Sequence, residues 1–342
     1  MSRKSLPPAW LGKLAGTGRE AGERAATDRK ERLAAQTILR PGEIQGEYDA
    51  GRLLMTTIGG QLRPLTHDDL AAFRQNVRTA QRRLKGGITA RQVLDLSYVD
   101  DRDRARSQIR HAVAAYASNG RIRFVTSAGP GSKVSRHHVT VELMGFAAAV
   151  AAGAKTPRQA ANALRKQPLK FDCDCERHRY WYRYISTIGG FNAGRAETGF
   201  PKIRNPNLVG VACKHVLRTM SEVESSGAVL QFLSKLIEKG RANDDGKATV
   251  RQTQQDAERQ AAARRVRDIK TTADRARDAA AARQRRGIHA AASGAKRPSR
   301  PGPATRKAKP AAAGFNAAQV ALFKQMGLTE AQIAQAAAAG RQ

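Results

Sequence analysis

All three cysteines of this 342-residue chain fall into one spaced pattern, which constrains the fold more than any other sequence feature. The pattern reads Cys173-Asp174-Cys175, then 37 residues, then Cys213-Lys214-His215. Two cysteines one residue apart on a strand or turn can reach the same ion. A Cys-x-His pair at the start of a helix can supply the other two corners of a tetrahedron. The sequence therefore requires the chain between the two pairs to fold back on itself.

Thiolate and imidazole groups in a closed set of four are typical ligands of a structural Zn²⁺ ion. The sequence predicts one such ion, held by Cys173, Cys175, Cys213 and His215. Such an ion contributes roughly 10 kcal/mol or more of folding free energy in small zinc domains. Two alternatives stay open at this point. The cysteines could be small buried apolar side chains, or His178 could compete as a ligand.

The ligand order, together with a helix after the last pair, resembles the SWIM-type zinc finger over about residues 171–220. The resemblance implies that the same four residues are the ligands. It also implies binding to DNA or to a protein partner, often beside another domain that acts on nucleic acid. The separation of 37 residues is long for that family, so the role of the insert, residues 176–212, stays open.

The chain is strongly basic, with 61 Lys and Arg against 29 Asp and Glu and a formal net charge of +32. Residues 51–240 carry 31 basic and 14 acidic side chains, and residues 241–342 carry 21 and 8. The excess of basic side chains is therefore not confined to one end of the chain. Such a surface repels itself unless a polyanion neutralises it, and nucleic acid is the usual polyanion. A membrane surface or an acidic protein is a less favoured alternative.

Simple counts disfavour several other protein classes. No apolar run reaches the roughly 18 residues that a membrane helix needs, and residues 1–18 lack the apolar centre of a signal peptide. Three cysteines are an odd number, which argues against a disulfide framework and favours a reducing, intracellular setting. No phosphate-binding loop, metalloprotease motif or nucleophile elbow is present. The sequence therefore predicts neither an enzyme nor a small-molecule substrate.

The insert concentrates aromatic and basic side chains. Its segment from His178 to Tyr184 places four aromatic residues and two arginines within seven positions. Flat rings with interleaved arginine suit stacking on bases and contact with phosphates. The alternative is a small core packed around the metal. On the first interpretation, the predicted nucleic-acid contacts here are Arg179, Trp181, Arg183, Tyr184, Lys202, Arg204 and Lys214.

Carboxylates accompany the cysteines as well. Asp172, Asp174 and Glu176 alternate around the first ligand pair, and we expect them to be solvated or to support the metal ligands. An acid–base site or a second metal is the alternative. Another acidic group, which includes Asp101, stands where a helix is predicted to begin, and a helix N-terminus favours carboxylates by itself.

Residues 241–310 contain almost no large apolar side chains. Residues 252–286 could form a charged helix, and residues 287–310 are expected to be disordered when alone. Arginine clusters in this segment predict flexible phosphate-binding arms, although a charged helix that only aids solubility is the alternative. The predicted contacts are Arg264, Arg265, Arg267, Arg283, Arg285 and Arg286.

The predicted fold class is α+β, a small helical and β-hairpin domain followed by a SWIM-like zinc module, with an extended basic tail and arms. Helices are predicted after the caps Thr66, Thr89 and Thr156, and also over residues 25–39 and 101–117. Residues 121–125 and 136–143 predict a β-hairpin. The predicted segments are an N-terminal arm with a short helix (1–50), an α+β domain (51–155), the zinc module (156–240), a basic linker or tail (241–310) and a C-terminal helical pair (311–342).

Together these features predict a non-enzymatic, zinc-stabilised protein that binds nucleic acid, with DNA favoured over RNA. A second hypothesis is a structural protein of a large assembly such as a phage virion, whose arms dock to other protein subunits. A third is the accessory zinc module of a transposase or nuclease. The expected location is the cytoplasm or nucleoid, or the virion under the second hypothesis.

Overall fold

The fold is taken from a computed structural model, which describes residues 10–33, 37–46, 54–262, 268–292, 324 and 329–332. The predicted α+β class is confirmed, because helices combine with a five-stranded and a two-stranded sheet. The chain divides into two units, residues 1–283 and 284–342. All four predicted metal ligands belong to the first unit.

The elements have the following bounds. The strands are β1 (Met55–Thr56), β2 (Arg63–Pro64), β3 (Ala112–Ser118), β4 (Arg121–Ser127), β5 (Arg136–Leu143), β6 (Leu169–Cys173) and β7 (Thr249–Arg251). The helices are α1 (Thr17–Leu33), α2 (His67–Leu84), α3 (Ala90–Asp95), α4 (Val99–Gln108), α5 (Phe146–Ala151), α6 (Pro157–Leu164), α7 (Arg183–Ile188), α8 (Lys214–Ser225), α9 (Gly227–Ala242), α10 (Gln254–Ala262) and α11 (Thr272–Ala292). A 3₁₀ turn spans Glu43–Gln45, and a π-helical turn spans His178–Tyr182.

The main sheet has the order β6-β5-β4-β3-β7, and all neighbouring strands are antiparallel. Its strands come from the segments 51–155, 156–240 and 241–310. Side chains alternate across a sheet, so Ile122 and Phe124 of β4 point with Val139 and Val141 of β5 into the main core. Helix α8 packs on that inner face against β3, β4, β5 and β6. The second ligand pair therefore lies beside the strand that carries the first.

The prediction of a helix over residues 101–117 was right for residues 101–108 and wrong for the rest. Helix α4 ends at Gln108, and Ala112–Ser118 forms β3. An alanine-rich run has high helix propensity, but this one is paired with β4 on one side and β7 on the other. Tertiary pairing outweighs the local preference. The predicted hairpin of β4 and β5 is confirmed.

The N-terminal helix was predicted over residues 25–39, but α1 spans Thr17–Leu33. Gly16 has a positive φ of 97°, which glycine adopts readily, and the helix starts directly after it. Leu39 instead forms an isolated bridge with Phe200. Helix α1 contacts the outer face of the sheet, where Glu20 pairs with Arg136 of β5 at 2.6 Å.

The three predicted helix caps are confirmed. The hydroxyl groups of Thr66, Thr89 and Thr156 each accept a hydrogen bond from the backbone N–H three residues later. In each case the side chain at that later position bonds back to the N–H of the threonine. This reciprocal capping box satisfies donors that a helix start otherwise leaves unpaired.

We expect the cap of α2 to make stability depend on pH. A hydrogen bond from Arg63, together with bonds from Thr66, lowers the pKa of buried Asp69 to about 2. Because the folded pKa lies below the unfolded one, this stabilisation is full above about pH 4 and is lost as the pH falls towards about 2. Asp69→Asn should lower the free energy of unfolding by about 1 kcal/mol at neutral pH, and by less at about pH 3.

Denaturant unfolding at several pH values measures this difference. Asp68→Asn, at the exposed neighbouring position, is the matched control and should show a smaller effect at every pH. A deficit of Asp69→Asn that stays constant between about pH 5 and about pH 3 would contradict the assignment.

Much of the predicted C-terminal region lies outside the described residues. Residues 293–323 are not described, so the prediction of disorder over residues 287–310 is largely untested. In the predicted helical pair, Thr329 donates its backbone N–H to Gln332 Oε1 at 2.9 Å, and residues 330–332 are helical. Thr329 therefore stands directly before a helical segment.

Candidate metal centre

The structure brings the four predicted ligands together. Each of Cys173, Cys175, Cys213 and His215 offers one ligand atom, and these atoms all lie within 4.8 Å of one another. None of the four residues is more than 5% exposed. Around a tetrahedral zinc ion, donor atoms stand just under about 4 Å apart, and Cys173 Sγ lies 4.0 Å from His215 Nδ1. The four side chains could therefore hold one metal ion.

Strand geometry explains why the first pair has the spacing Cys-x-Cys. Cys173 ends the edge strand β6, whose partner β5 pairs Val139 with Cys173. Successive side chains of an extended chain point to opposite faces. Cys173 and Cys175 therefore point together towards the start of α8, whereas Asp174 points towards α1 and meets Arg24 there at 2.7 Å.

Two of the cysteines stand directly before helical segments. Cys213 is the N-cap of α8, so its sulfur stands at the N-terminus of that helix. Cys175 precedes the helical stretch 176–188, and its sulfur accepts the N–H of His178 at 3.4 Å. N–H donors at a helix start favour the thiolate, which is the form that binds metal.

His215 lies in the first turn of α8. Burial lowers the pKa of its imidazole, so the neutral form that binds metal ions dominates at neutral pH. Its Nε2 atom is buried and has no hydrogen-bond partner among the described residues. Its other ring nitrogen, Nδ1, lies 4.0 Å from Cys173 Sγ and could coordinate an ion held by the thiols. His137 stacks on this ring with centroids 4.3 Å apart.

The surroundings of the Cys173 thiol disfavour its charged form when no metal ion is bound. Burial, with the thiols of Cys175 and Cys213 beside it, raises the pKa of Cys173 well above its ordinary value. A coordinated divalent ion reverses this effect, because it binds the thiolate and releases the proton. Metal affinity at this site is therefore expected to fall as the pH falls.

A chain of polar contacts links the ligands to α1. Asp174 accepts hydrogen bonds from Arg24 at 2.7 Å and from the backbone of His138 at 3.1 Å, and His137 Nδ1 lies 2.8 Å from it. Burial alone would raise the pKa of Asp174, but the contact with His137 and the nearby positive charges hold it well below its usual range. Since His137 also stacks on His215, Asp174 positions a ring that contacts one of the predicted ligands.

Four residues of the insert that were predicted to contact nucleic acid are buried instead. They are Arg179, Arg183, Tyr184 and Lys202, and none is more than 9% exposed. Arg183 lies 2.5 Å from Asp28 of α1 and 3.1 Å from Asp172, and Arg179 lies 3.2 Å from Asp28. Burial by itself would lower the pKa of Arg183, but these two carboxylates raise it. Burial argues against contact with a polyanion, because these side chains are enclosed in the fold.

The aromatic residues of the insert also pack inward. Tyr182 is fully buried and donates its hydroxyl hydrogen to Asp101. Asp101 also accepts from Arg177 at 2.8 Å, and this guanidinium lies 3.5 Å from the ring centroid of half-buried Trp181. Burial raises the pKa of Tyr184 to about 12. These contacts support the interpretation of the insert as a small core beside the metal ligands.

His178 is not one of the clustered ligands. Its ring is fully buried, lies against Phe171 and places Nε2 3.2 Å from Asp172. Only its backbone N–H reaches Cys175. The ring therefore supports the carboxylates that hold Arg183 instead of competing for the ion.

The remaining predicted nucleic-acid contacts are exposed, partly buried or outside the described residues. Arg204 is exposed, and partly buried Lys214 donates to Gln108 at 2.6 Å. Residues 263–267 lie outside the described residues, and with them Arg264, Arg265 and Arg267. The exposed predicted contacts on α11 are Arg283, Arg285 and Arg286.

Sequence reasoning missed the contribution of α1 to this region. Glu20, Arg24 and Asp28 recur every four residues and so share one face of the helix. That face contacts Arg136, Asp174 and the two buried arginines of the insert. The four-residue spacing of alternating charge was a visible signal, but it did not reveal which part of the chain the face would meet.

Two broader findings complete the description of the chain. Among the helices that the structure describes, none combines the length and apolar character needed to cross a membrane. The resemblance to the SWIM-type zinc finger rests on the order of the four ligands and on helix α8, and the metal assignment rests on their geometry. Comparison with family models, curated proteins and solved structures found no match to this chain.

Proposed function

We propose that this chain is a non-enzymatic nucleic-acid-binding protein whose fold depends on one structural Zn²⁺ ion. Three thiolates and one imidazole suit zinc, and four protein ligands complete a tetrahedron without leaving a position for a reacting water. The near-complete burial of all four ligands supports a structural role. We infer from this that the ion stabilises a binding surface.

The observation that carries the nucleic-acid proposal is a row of exposed cations on α2, here called the basic ridge. It consists of Arg78, Arg82, Arg83 and Lys85, all exposed. Helix α2 has no acidic residue after Asp69. Basic residues in a last turn interact favourably with the helix dipole, but like charges four residues apart repel each other. A polyanion along the ridge would remove this repulsion.

The ridge is joined to the metal centre through the insert. Asn76 donates to the carbonyl of Pro206 at 3.0 Å, and Arg83 reaches the carbonyl of Leu208 at 3.5 Å. Arg204, an exposed predicted contact, belongs to the same stretch. Since the ligand pairs stand at the two ends of the insert, a bound ion would fix this stretch against α2. The proposal therefore expects nucleic-acid affinity to depend on the metal.

The test is fluorescence anisotropy of a labelled DNA duplex titrated with zinc-loaded protein over a series of salt concentrations. The logarithm of the affinity should fall linearly with the logarithm of the salt concentration. Replacing Arg78 and Arg82 together by glutamine should weaken binding and reduce the slope by about two. Arg158→Gln, at an exposed position of α6, should reduce it less, and a parallel RNA titration tests the preference for DNA.

Binding that does not change with salt, or no binding at all, would refute the proposal. Tight binding to a capsid, connector or tail subunit in place of DNA would instead support a structural role in a virion. Binding only in the presence of a separate nuclease or transposase chain would support an accessory module. These outcomes distinguish the three functions that the sequence suggests.

A further inference from the structure

A second concentration of positive charge lies on the outer face of the sheet, away from the metal ligands. It is a cleft of about 810 Å³ between the start of α1 and strands β3, β4 and β7. Four cations line it, and none of its lining residues is acidic. We call this feature the basic cleft and define it by Lys13, Arg19, Arg123 and Arg251.

The cations of the basic cleft come from distant parts of the chain. Arg19 belongs to α1, Arg123 to β4 and Arg251 to β7. On β4, the neighbours Ile122 and Phe124 point into the core, so alternation turns Arg123 to the outer face. The fold therefore assembles the cleft, and local sequence composition does not account for it.

These cations have no carboxylate partner within the described part of the chain. Neither Arg19 nor Arg123 takes part in an ion pair there, and Arg251 lies over the ring of Tyr116 at 5.2 Å. Arg123 is only half-buried, yet burial lowers the pKa of its guanidinium, and Arg121 nearby acts in the same direction. Gathering like charges in one concave site costs free energy unless an anion neutralises them.

The backbone beside Arg123 leaves room for its guanidinium. A Cβ atom on Gly18 would stand 3.1 Å from Arg123 Nη1, so the group lies directly against the first turn of α1. Helix α1 has 17 residues, and the N–H groups of a first turn add to the attraction for an anion. Arg123 and the first turn of α1 therefore line the same cleft.

We propose that the basic cleft binds a phosphate-bearing anion through Arg19, Arg123 and Arg251. Guanidinium groups form paired hydrogen bonds with phosphate oxygens, and the volume lies within the usual range for ligand sites, about 300–1,000 Å³. The phosphates come either from a nucleic-acid backbone or from a free phosphate compound. In the first case the inference rests on the proposed function, and in the second it is independent of it.

The experiment uses the full, zinc-loaded chain with two probes. Isothermal titration calorimetry measures binding of inorganic pyrophosphate, and fluorescence anisotropy measures binding of a labelled single-stranded DNA. The variants Arg123→Gln and Arg251→Gln each remove one charge from the cleft. Arg158→Gln removes one exposed charge from α6, outside the cleft, and is the matched control. Thermal unfolding of each variant verifies that the fold is retained.

Each cleft variant is expected to weaken binding of at least one probe by about tenfold, and the control by less than about twofold. If the cleft variants weaken binding of DNA alone, the cleft is assigned to a nucleic-acid backbone. If they weaken binding of pyrophosphate alone, it is assigned to a free phosphate compound. A chain that binds pyrophosphate through the cleft but binds no DNA would refute the proposed function and keep this inference. The inference is overturned if the wild type binds neither probe, or if cleft variants bind both as tightly as the control does.

Discussion

Cys213→Ser should abolish stoichiometric metal binding and lower the free energy of unfolding by at least about 3 kcal/mol. Cys213 is fully buried and stands at the start of α8. A serine there leaves the remaining charged ligands buried without a complete partner, a change that costs several kcal/mol. Elemental analysis of the purified chain and denaturant unfolding measure the two effects.

Histidine variants supply a matched control for this prediction. His215→Gln removes a ligand, whereas His67→Gln removes an exposed imidazole from the first turn of α2. Only the first should lose the metal. Retention of one equivalent of metal by Cys213→Ser would contradict the assignment.

The wild-type chain provides an independent test if the ligand variants fail to fold. Replacing the native ion with Co²⁺ should give the intense visible bands of a tetrahedral thiolate site, together with thiolate-to-cobalt charge transfer. Removal of the ion with a chelator should lower the thermal stability, and restoring Zn²⁺ should recover it. A wild-type chain that takes up no Co²⁺ would rule out the site.

Asp28→Ala should lower the free energy of unfolding by about 3 kcal/mol. Asp28 is 4% exposed and lies against two buried guanidinium groups, those of Arg179 and Arg183. Removing one member of a buried ion network leaves the opposite charge without compensation. Asp172 still faces Arg183 at 3.1 Å, which places the effect at the lower end of the usual range.

The control for this variant lies on the same helix. Glu31 approaches Arg179 at 3.5 Å, but its side chain is 53% exposed. Solvent screens such a pair, so Glu31→Ala should cost less than about 1 kcal/mol. Denaturant unfolding measures the free energy of unfolding of both variants and so compares the two losses. A loss below about 1 kcal/mol for both variants would mean that the contact of α1 with the insert contributes little to stability.

Local patterns in the sequence predicted the features that depend on short-range chemistry. A threonine at a predicted helix start identified the caps Thr66, Thr89 and Thr156, because a cap forms within four residues. The clustering of the four Cys and His side chains was predicted for a similar reason. Cysteine is rare in this chain, and the short spacing within each pair restricts the directions in which the two ligand side chains can point.

Features that depend on distant partners were not predictable in this way. Ala112–Ser118 has the composition of a helix and becomes strand β3 because β4 and β7 pair with it. Strand β6 was missed, although Leu169, Phe171 and Cys173 alternate with polar residues. The arginines of the insert were assigned to a polyanion because aromatic rings alternate with them in the sequence. One of the two carboxylates that bond Arg183 is only 11 positions away, but the other, Asp28, stands 155 positions away.

Short pieces of the same chain form or cover the two edges of the five-stranded sheet. At one side, three residues of β7 pair with β3, and Gln252 donates to the carbonyl of Ala115 at 3.0 Å. At the other side, Leu169 and Phe171 of β6 donate to the carbonyls of Ile88 and Phe191, each at 2.9 Å. Unpaired strand edges invite another polypeptide to extend the sheet. Because the backbone groups at these positions are already paired, a second protein would have to recognise side chains there. A truncation that removed β7 would expose the edge of the alanine-rich β3 and allow it to self-associate.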